Sequence, residues 1–315
     1  MKKTIIYSSL VLLLAAAVAC NKTDSPVSEE PIRFAFATDA ATRALNTNAT
    51  EVLRTQTIKV YDDMGATPYY IDDAAAYSGG TWNFVSGHAY TWRTGSHKFF
   101  AYTNEAGTFA SGVLTVSKTL TTADADQVDI LYSDIVTKTQ ADAGQAVTIP
   151  MSHLFAAAGI MVKNATDGNV TVNSVSATGI KNQGYATVDF TGATTAVTYG
   201  TVSGSLTGST LSNVTLAANG MADVLGQAAA DAAAYWLVWP QAIAAEGITV
   251  AIEYTIGAGT TAKKYTSEVK LPTAAVEWKA GYKYLYTINV NPHDIKLEFT
   301  VTDWVENEGQ DIIVE

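Results

Sequence analysis

The chain has 315 residues and a formal net charge of −11, with 48% hydrophobic and only 16% charged residues. Its acidic balance argues against nucleic-acid binding, which requires a basic surface that displaces counterions from phosphates. The apolar content is sufficient for a large buried core, while runs with helical periodicity are few. Short strands separated by frequent turns are therefore expected, and the predicted fold class is all-β.

The chain begins with a basic start and an apolar run. Lys2 and Lys3 precede residues 5–18, which are fewer than the roughly 20 residues that cross a membrane. This pattern is typical of a signal peptide over residues 1–19. The small residues before Cys20, the only cysteine, predict that a lipid is attached there and that Cys20 becomes the new N-terminus. We expect this lipid, rather than a spanning segment, to hold the protein at the outer membrane. A buried cysteine without this role is the alternative.

The segment after Cys20 combines a tether, a short strand and a linker. The first residues are polar and include two prolines, which predicts a solvated tether. The next five alternate in polarity, so Ile32, Phe34 and Phe36 would form the buried face of a strand. A linker of small residues follows and leads to Arg43. Residues 20–43 are therefore interpreted as one N-terminal unit that precedes the folded domains.

The remaining chain is predicted to form two β domains. Turn signals recur about every 8 to 12 residues, which is typical of a sandwich or a barrel. Residues 140–145 are small and polar, and a new strand pattern begins at Val147. We therefore expect an N-terminal β-sandwich over residues 44–146 and a C-terminal β-sandwich over residues 147–315.

The C-terminal half contains the clearest alternating strands, at 248–256, 282–290 and 295–301. Residues 191–220 are small and polar and predict loops with a weak edge hairpin. The chain ends with Ile312, Ile313 and Val314 before a final glutamate. A β-branched apolar run at the terminus predicts a strand that pairs with a partner.

The sequence contains no recognisable catalytic constellation. Nucleophile-elbow, phosphate-loop and dinucleotide motifs are missing from it. The histidines have no metal-ligand spacing; they are His88, His97, His153 and His293. Asp124, Asp126 and Asp129 resemble a calcium loop, but the closing glutamate and the turn glycine are missing, so a solvated acidic loop is favoured. His153 is expected to be a packed, hydrogen-bonded side chain. We expect no enzyme activity, no metal and no cofactor.

Three aromatic side chains suggest one alternative function. Trp82, Tyr90 and Trp92 have the spacing of a sugar-stacking platform. Alternating aromatics in β proteins more often belong to the core, which is the favoured interpretation. The alternative is a surface lipoprotein that binds glycans.

Several stretches together resemble the fimbrillin family, the lipoprotein subunits of type V pili in Bacteroidetes-type bacteria. They are short, and their order along the chain carries the resemblance. The matching stretches are the leader with Cys20, residues 34–44, VDILYS at 128–133, PMSHLFA at 150–156, WPQ at 239–241 and residues 282–304.

The resemblance implies two tandem transthyretin-like β-sandwiches and export as a lipoprotein. It also implies that an arginine-specific protease removes the N-terminal strand and that a strand of another subunit fills the groove. The cut would fall between Arg43 and Ala44, with Arg54 as the competing position. The donor strand would contain Ile312, Ile313 and Val314, and residues 295–301 are the alternative donor.

The function implied is a structural fimbrial subunit of the stalk type that supports surface adhesion. Its partners would be copies of itself or related fimbrial subunits, the arginine-specific protease and, through the lipid on Cys20, the outer membrane. The precursor would lie at the outer membrane and the assembled subunit in the fimbrium at the cell surface. A tip adhesin is a further alternative.

We predict that Cys20→Ser leaves the precursor without its lipid and displaces it from the membrane fraction, because no other thiol can take the lipid. Metabolic labelling with a fatty acid, followed by membrane fractionation, measures both effects. A Cys20→Ser protein that still carries the label in the outer membrane would contradict the lipoprotein interpretation.

Overall fold

A computed structural model describes residues 30–38, 53–65, 68–103, 107–121, 127–206, 210–225, 235–243, 247–271, 277–291 and 295–303. Strands make up most of this part of the chain, with short 3-10 helices at Gln140–Asp142 and Gly259–Thr261. Among these residues, no helix has the length and apolar character needed to cross a membrane. The predicted all-β fold class is confirmed.

Ten strands precede residue 155: β1 (Phe34–Thr38), β2 (Ile58–Asp63), β3 (Ile71–Ser78), β4 (Thr81–Phe84), β5 (Ser96–Thr103), β6 (Thr108–Ala110), β7 (Val113–Thr119), β8 (Leu131–Ser133), β9 (Val136–Thr139) and β10 (Val147–His153). The strands that follow are β11 (Ala156–Asn164), β12 (Val170–Thr178), β13 (Gln183–Asp189), β14 (Ala196–Tyr199), β15 (Thr210–Leu216), β16 (Met221–Leu225), β17 (Trp236–Val238), β18 (Gln241–Ala242), β19 (Thr249–Ile256), β20 (Lys263–Lys270), β21 (Glu277–Trp278), β22 (Tyr282–Val290) and β23 (Ile295–Asp303).

The first sheet has the strand order β1-β10-β8-β5-β2-β3-β4, and β9 also pairs with β5. Its strand pairs are antiparallel except for β1, which runs parallel to β10. On β5, Phe99 and Ala101 enter one apolar cluster while Phe100 and Tyr102 enter another. Because successive strand residues face opposite sides, this nearly continuous apolar run means that both faces of the sheet are covered.

A second sheet, with the order β14-β13-β7-β6, covers one of these faces. Leu114 and Val116 of β7, together with Val188 of β13, pack in the same cluster as Phe100. The opposite face carries the cluster to which β1 contributes. The first sheet therefore lies between two separate cores.

The C-terminal sandwich is built from two further sheets. One has the order β16-β11-β22-β23 with β17 also paired to β11, and the other has the order β15-β12-β19-β20. Their facing side chains form a single apolar core, which includes Val250, Ile252, Tyr286 and Ile288. The three alternating strands predicted in this half are confirmed as β19, β22 and β23.

Two sheets take strands from both sides of the predicted domain boundary at residue 146. Strand β10, which begins at Val147, pairs with β8 and β1 of the first sheet. Strand β13 pairs with β7 over seven positions, from Gln183 opposite Thr119 to Asp189 opposite Val113. Both pairings join residues from the two sides of position 146. The domain boundary at 146 and the transthyretin-like topology stay predictions.

The prediction of a hairpin within residues 191–220 is wrong. Strand β14 pairs with β13, while β15 pairs with β12, so the two strands belong to different sheets. Both are edge strands of their sheets. The small polar composition indicated edge positions but held no information about which partner each strand would take.

We predict that Gly184→Ala destabilises the protein by about 1–3 kcal/mol through overpacking. A Cβ atom at Gly184 would lie 2.7 Å from the ring of Trp239, a fully buried side chain whose Nε1 donates to the carbonyl of Lys118. Gly168→Ala is the matched control, since a Cβ atom there would meet nothing within 4 Å. Urea unfolding of both variants measures the difference, and equal midpoints would contradict the close contact of β13 with Trp239.

Candidate functional site: the groove of the first strand

The strand predicted at residues 32–36 is found at Phe34–Thr38 as β1, an edge strand of the first sheet, and Ile32 and Arg33 directly precede it. Ile32, Phe34 and Phe36 are only 4%, 8% and 8% exposed, whereas Arg33 and Ala37 face solvent. The three apolar side chains lie in one cluster with residues of β2, β3, β5 and β10. Strand β1 therefore completes a core that the rest of the sheet leaves open on one side.

The partner of β1 is β10, over five parallel positions. Phe34 lies opposite Val147 and Phe36 opposite Ile149. The amide of Val147 donates to the carbonyl of Arg33 at 2.8 Å. Val147 and Ile149 are buried in the same cluster as the β1 side chains. We call this edge of β10, together with the aromatic side chains that β1 contacts, the β1 groove.

Aromatic side chains of β4 and β5 contact the buried face of β1. Phe34 meets Phe99 edge to face, with ring centroids 5.3 Å apart, and Phe84 at 5.8 Å. Phe36 meets Trp82 at 4.8 Å. Edge-to-face pairs add stability beyond area burial. Since Trp82 and Phe84 belong to β4 at the opposite edge of the sheet, these contacts bring both edges of the sheet together across β1.

The residues just before β1 are held by a second segment of the chain. The amide of Ile32 donates to the carbonyl of Tyr90 at 2.8 Å, and the amide of Trp92 donates to the carbonyl of Glu30 at 3.2 Å. Pro31 and Thr91 form an isolated antiparallel bridge. The start of β1 is therefore flanked by residues 90–92, while its remainder has β10 as its strand partner.

A buried histidine–aspartate pair supports residues 90–92. Nδ1 of His97 lies 2.5 Å from Oδ2 of Asp62, both side chains are fully buried, and the Trp92 ring packs 5.1 Å from His97. Burial raises the pKa of Asp62, and its hydrogen bond with His97 opposes this shift. Burial lowers the pKa of His97, but hydrogen bonds to Asp62 and the Arg93 carbonyl leave that pKa raised. The pair therefore holds the His97 ring in place against Trp92.

A cavity of about 640 Å³ adjoins β1 on the side of the β3–β4 hairpin. Its lining includes the β1 residues, Leu53 and the aromatic side chains Tyr77, Trp82, Phe84 and Tyr90. A volume of this size is in the range of ligand-binding pockets. The resident strand therefore does not fill the whole space between the two edges of the sheet.

The three aromatics considered as a sugar platform pack around the groove. Trp92 is fully buried and belongs to the core cluster, so its ring offers no surface for stacking. Trp82 packs on Phe36, and Tyr90 packs on Phe84 at 4.8 Å. Their arrangement matches the favoured interpretation as core residues.

Several of the predicted sites fall outside the described residues. They are Cys20, Arg43, Ala44, Ile312, Ile313 and Val314. The competing cleavage position, Arg54, is described: its guanidinium lies over the ring of Tyr77, 4.6 Å from the centroid. The neighbouring Leu53 is 3% exposed and packs in the same cluster as β1.

The remaining candidate residues have structural contacts. His153 is buried and its Nδ1 is hydrogen-bonded to Oδ2 of Asp129, which confirms the packed histidine that the sequence predicted. Asp124 and Asp126 lie outside the described residues. Within the described part of the chain, no group of three or more histidine, cysteine, aspartate or glutamate residues is placed to hold a metal ion.

Sequence reasoning missed the residues of the groove itself. Val147, Ile149 and Met151 alternate along β10 and face the β1 cluster. The period-two pattern VTIPM is visible in the sequence, but it does not indicate which strands pair with it. Pairing between strands more than a hundred residues apart leaves no local signal from which the partner could be found.

The fold and this groove define an all-β protein with an apolar strand seated at the edge of a sheet, and comparison with known proteins gives its family. The fimbrillin-like family profile matches residues 42–304. The chain therefore belongs to the fimbrillin-like family. No curated protein matches the chain.

Solved structures with the same fold come from Bacteroides species. A fimbrial protein of Bacteroides vulgatus has a TM-score of 0.54 at 16% identity, covering 87% of this chain and 99% of that one. A candidate cell adhesion protein of Bacteroides uniformis has a TM-score of 0.52 at 20% identity, with the same coverage of 87% and 99%. Another of Bacteroides ovatus has a TM-score of 0.51 at 17% identity, covering 89% and 99%. At these identities the likeness establishes the fold.

We predict that Phe36→Ala lowers the free energy of unfolding of the uncleaved chain by about 3 kcal/mol, because it removes a buried ring that packs on Trp82. Arg33→Ala, at the exposed residue directly before the same strand, should change it by less than about 0.5 kcal/mol. Denaturant unfolding followed by circular dichroism measures both values. Equal effects would show that β1 does not contribute to the core as described.

Proposed function

We propose that the protein is a structural subunit of a fimbrium, of the stalk type, that polymerises by strand exchange and supports adhesion at the cell surface. The precursor is exported as a lipoprotein held at the outer membrane through Cys20. The observation that carries the proposal is the position of β1, an edge strand whose apolar side chains complete a core together with Ile32 just before it. Its partners are other copies of the chain or related fimbrial subunits.

The energetics of β1 support an exchange reaction. Burial of Ile32, Phe34 and Phe36 contributes roughly 1.5–3 kcal/mol of transfer free energy for each side chain, so their loss costs at most about 9 kcal/mol. The exposed edge of β10 would also lose its hydrogen bonds to β1. The free energy of unfolding of a whole domain is only about 5–15 kcal/mol. Removal of β1 therefore strongly destabilises the domain unless another strand replaces it. A partner strand with the same period-two pattern can pair with the open edge of β10 and bury its apolar side chains in the groove.

The surroundings of Arg54 favour Arg43 as the cleavage position. A protease requires an accessible segment of backbone on both sides of the bond that it cuts. Leu53 is buried in the β1 cluster, the amide of Gln56 donates to its carbonyl at 3.1 Å, and the Arg54 side chain rests on Tyr77. Cutting after Arg54 would require this packing to be undone. An arginine-specific protease is therefore proposed to cut between Arg43 and Ala44.

The pairing of β23 supports the C-terminal segment as the donor. Strand β23 contains the alternative donor residues 295–301 and pairs with β22 over nine positions, from Ile295 opposite Val290 to Asp303 opposite Tyr282. Its use as a donor would break a sheet of its own domain. Ile312, Ile313 and Val314 lie beyond this strand, so they are proposed as the residues that enter the β1 groove of a second copy.

We predict that wild-type protein treated with an arginine-specific protease forms ladders on native gels, whereas Arg43→Ala protein forms no ladders. Before the cut, β1 occupies the groove at the high effective concentration of an intramolecular contact, so a strand from another copy cannot compete. After the cut, β1 can dissociate and the incoming strand binds. Native gels and N-terminal sequencing of the products measure assembly and cleavage together.

Two controls separate the parts of this proposal. Arg54→Ala should be cleaved like wild type, because its side chain is not at the proposed cut. Deletion of residues 312–315 should leave cleavage intact and stop polymer growth. Ladders from the uncleaved Arg43→Ala protein, or undiminished growth without residues 312–315, would contradict the mechanism.

A further inference from the structure

We propose that the cavity beside β1 is a docking pocket for the acidic C-terminal segment of a second copy, and that it accepts this segment while β1 is still in place. The inference rests on the proposed function and adds a step that precedes release of the strand. It follows from three properties of the cavity: its charge, its open sheet edge and its unfilled apolar volume.

The cavity has a basic rim in an acidic protein. Arg33 and Arg54 line it and are both exposed, and His88 lies at the same rim. Among the described residues that line it, none is an aspartate or a glutamate. The chain as a whole has a formal net charge of −11. A cationic entrance on an acidic surface attracts an anionic partner and raises its association rate.

The C-terminal segment of the chain has the complementary charge. Residues 304–315 read WVENEGQDIIVE and contain four acidic residues and no lysine or arginine. Asp311 and Glu315 flank the apolar run of Ile312, Ile313 and Val314. An apolar run between two carboxylates fits an apolar cavity with arginines at its rim, since the chain can bury its side chains while the carboxylates stay at the entrance.

Strand β4 offers a backbone edge for this segment. It is the last strand of the first sheet, and the two-residue Gly79–Gly80 turn joins it to β3. Val85 donates to the carbonyl of Ala74, so the odd-numbered residues of β4 face β3 and the N–H and C=O of Trp82 point outward. An exposed strand edge is a template for strand addition. The cavity thus supplies main-chain partners as well as apolar volume.

The same geometry connects docking with release of β1. Phe36 packs on Trp82, and Trp82 is part of the cavity lining. A segment that pairs with β4 therefore lies next to the side chain that β1 uses to hold its place. Arg33 leaves with β1 after the cut, whereas Arg54 stays with the domain. Arg54 is accordingly the residue that contacts the incoming segment both before and after the exchange.

A fluorescent peptide of residues 304–315 tests the inference on the full chain carrying Arg43→Ala, in which β1 cannot be released. We expect saturable binding by fluorescence polarisation that weakens with added salt, because the paired charges at the rim are exposed. Arg54→Glu should weaken the binding about five- to tenfold. Lys270→Glu is the matched control, since Lys270 is exposed on β20 in the other sandwich and the charge change is the same. Arg33→Glu provides a second variant at the rim.

A second peptide, carrying Glu306→Gln, Glu308→Gln, Asp311→Asn and Glu315→Gln, should bind more weakly to the unaltered rim. Absence of binding to the Arg43→Ala chain would overturn the inference, as would equal weakening by Arg54→Glu and Lys270→Glu in variants with native circular dichroism. Failure of this test can be distinguished from failure of the proposed function. Polymers could still form after cleavage without prior docking, and docking could occur in a chain that never polymerises.

Discussion

The burial of the apolar side chains on β1 and just before it is the contact on which the N-terminal part of the fold depends. Ile32, Phe34 and Phe36 complete a cluster that contains the inner faces of β2, β3, β5 and β10. Yet β1 has a single strand partner along most of its length and lies at the edge of its sheet. An edge strand with buried side chains is important for stability, and it can still leave the sheet without passing through the rest of the domain.

The strands at the two ends of the described chain differ in how they are paired with their neighbours. Strand β23 is held by nine antiparallel positions with β22, whereas β1 is held by five parallel positions with β10. Parallel pairing is slightly less stable per residue. Side-chain burial therefore dominates the retention of β1, and a replacement must supply similar apolar side chains. The cavity next to β1 shows that the groove also contains apolar space that β1 does not occupy.

Local alternation predicted the strands well and their partners poorly. The pattern at residues 32–36 indicated which side chains of β1 are buried, because solvent on one face and core on the other produce a period of two. The same reasoning identified β19, β22 and β23. It could not indicate that Val147 and Ile149 pair within the first sheet, because the partner of a strand depends on distant residues. The packing of Trp92 and Tyr90 against the groove was likewise settled by tertiary contacts, since their spacing alone also fits an exposed platform.

The proposed strand exchange requires that an assembled subunit has lost β1 and holds a strand from a neighbour in its place. Mass spectrometry of subunits from purified fimbriae tests this directly, because it reads the first residue of the polymerised chain. The result expected is an N-terminus at Ala44, with no peptide containing Phe34 or Phe36. Polymerised subunits that begin at Cys20 and still carry residues 32–36 would contradict it.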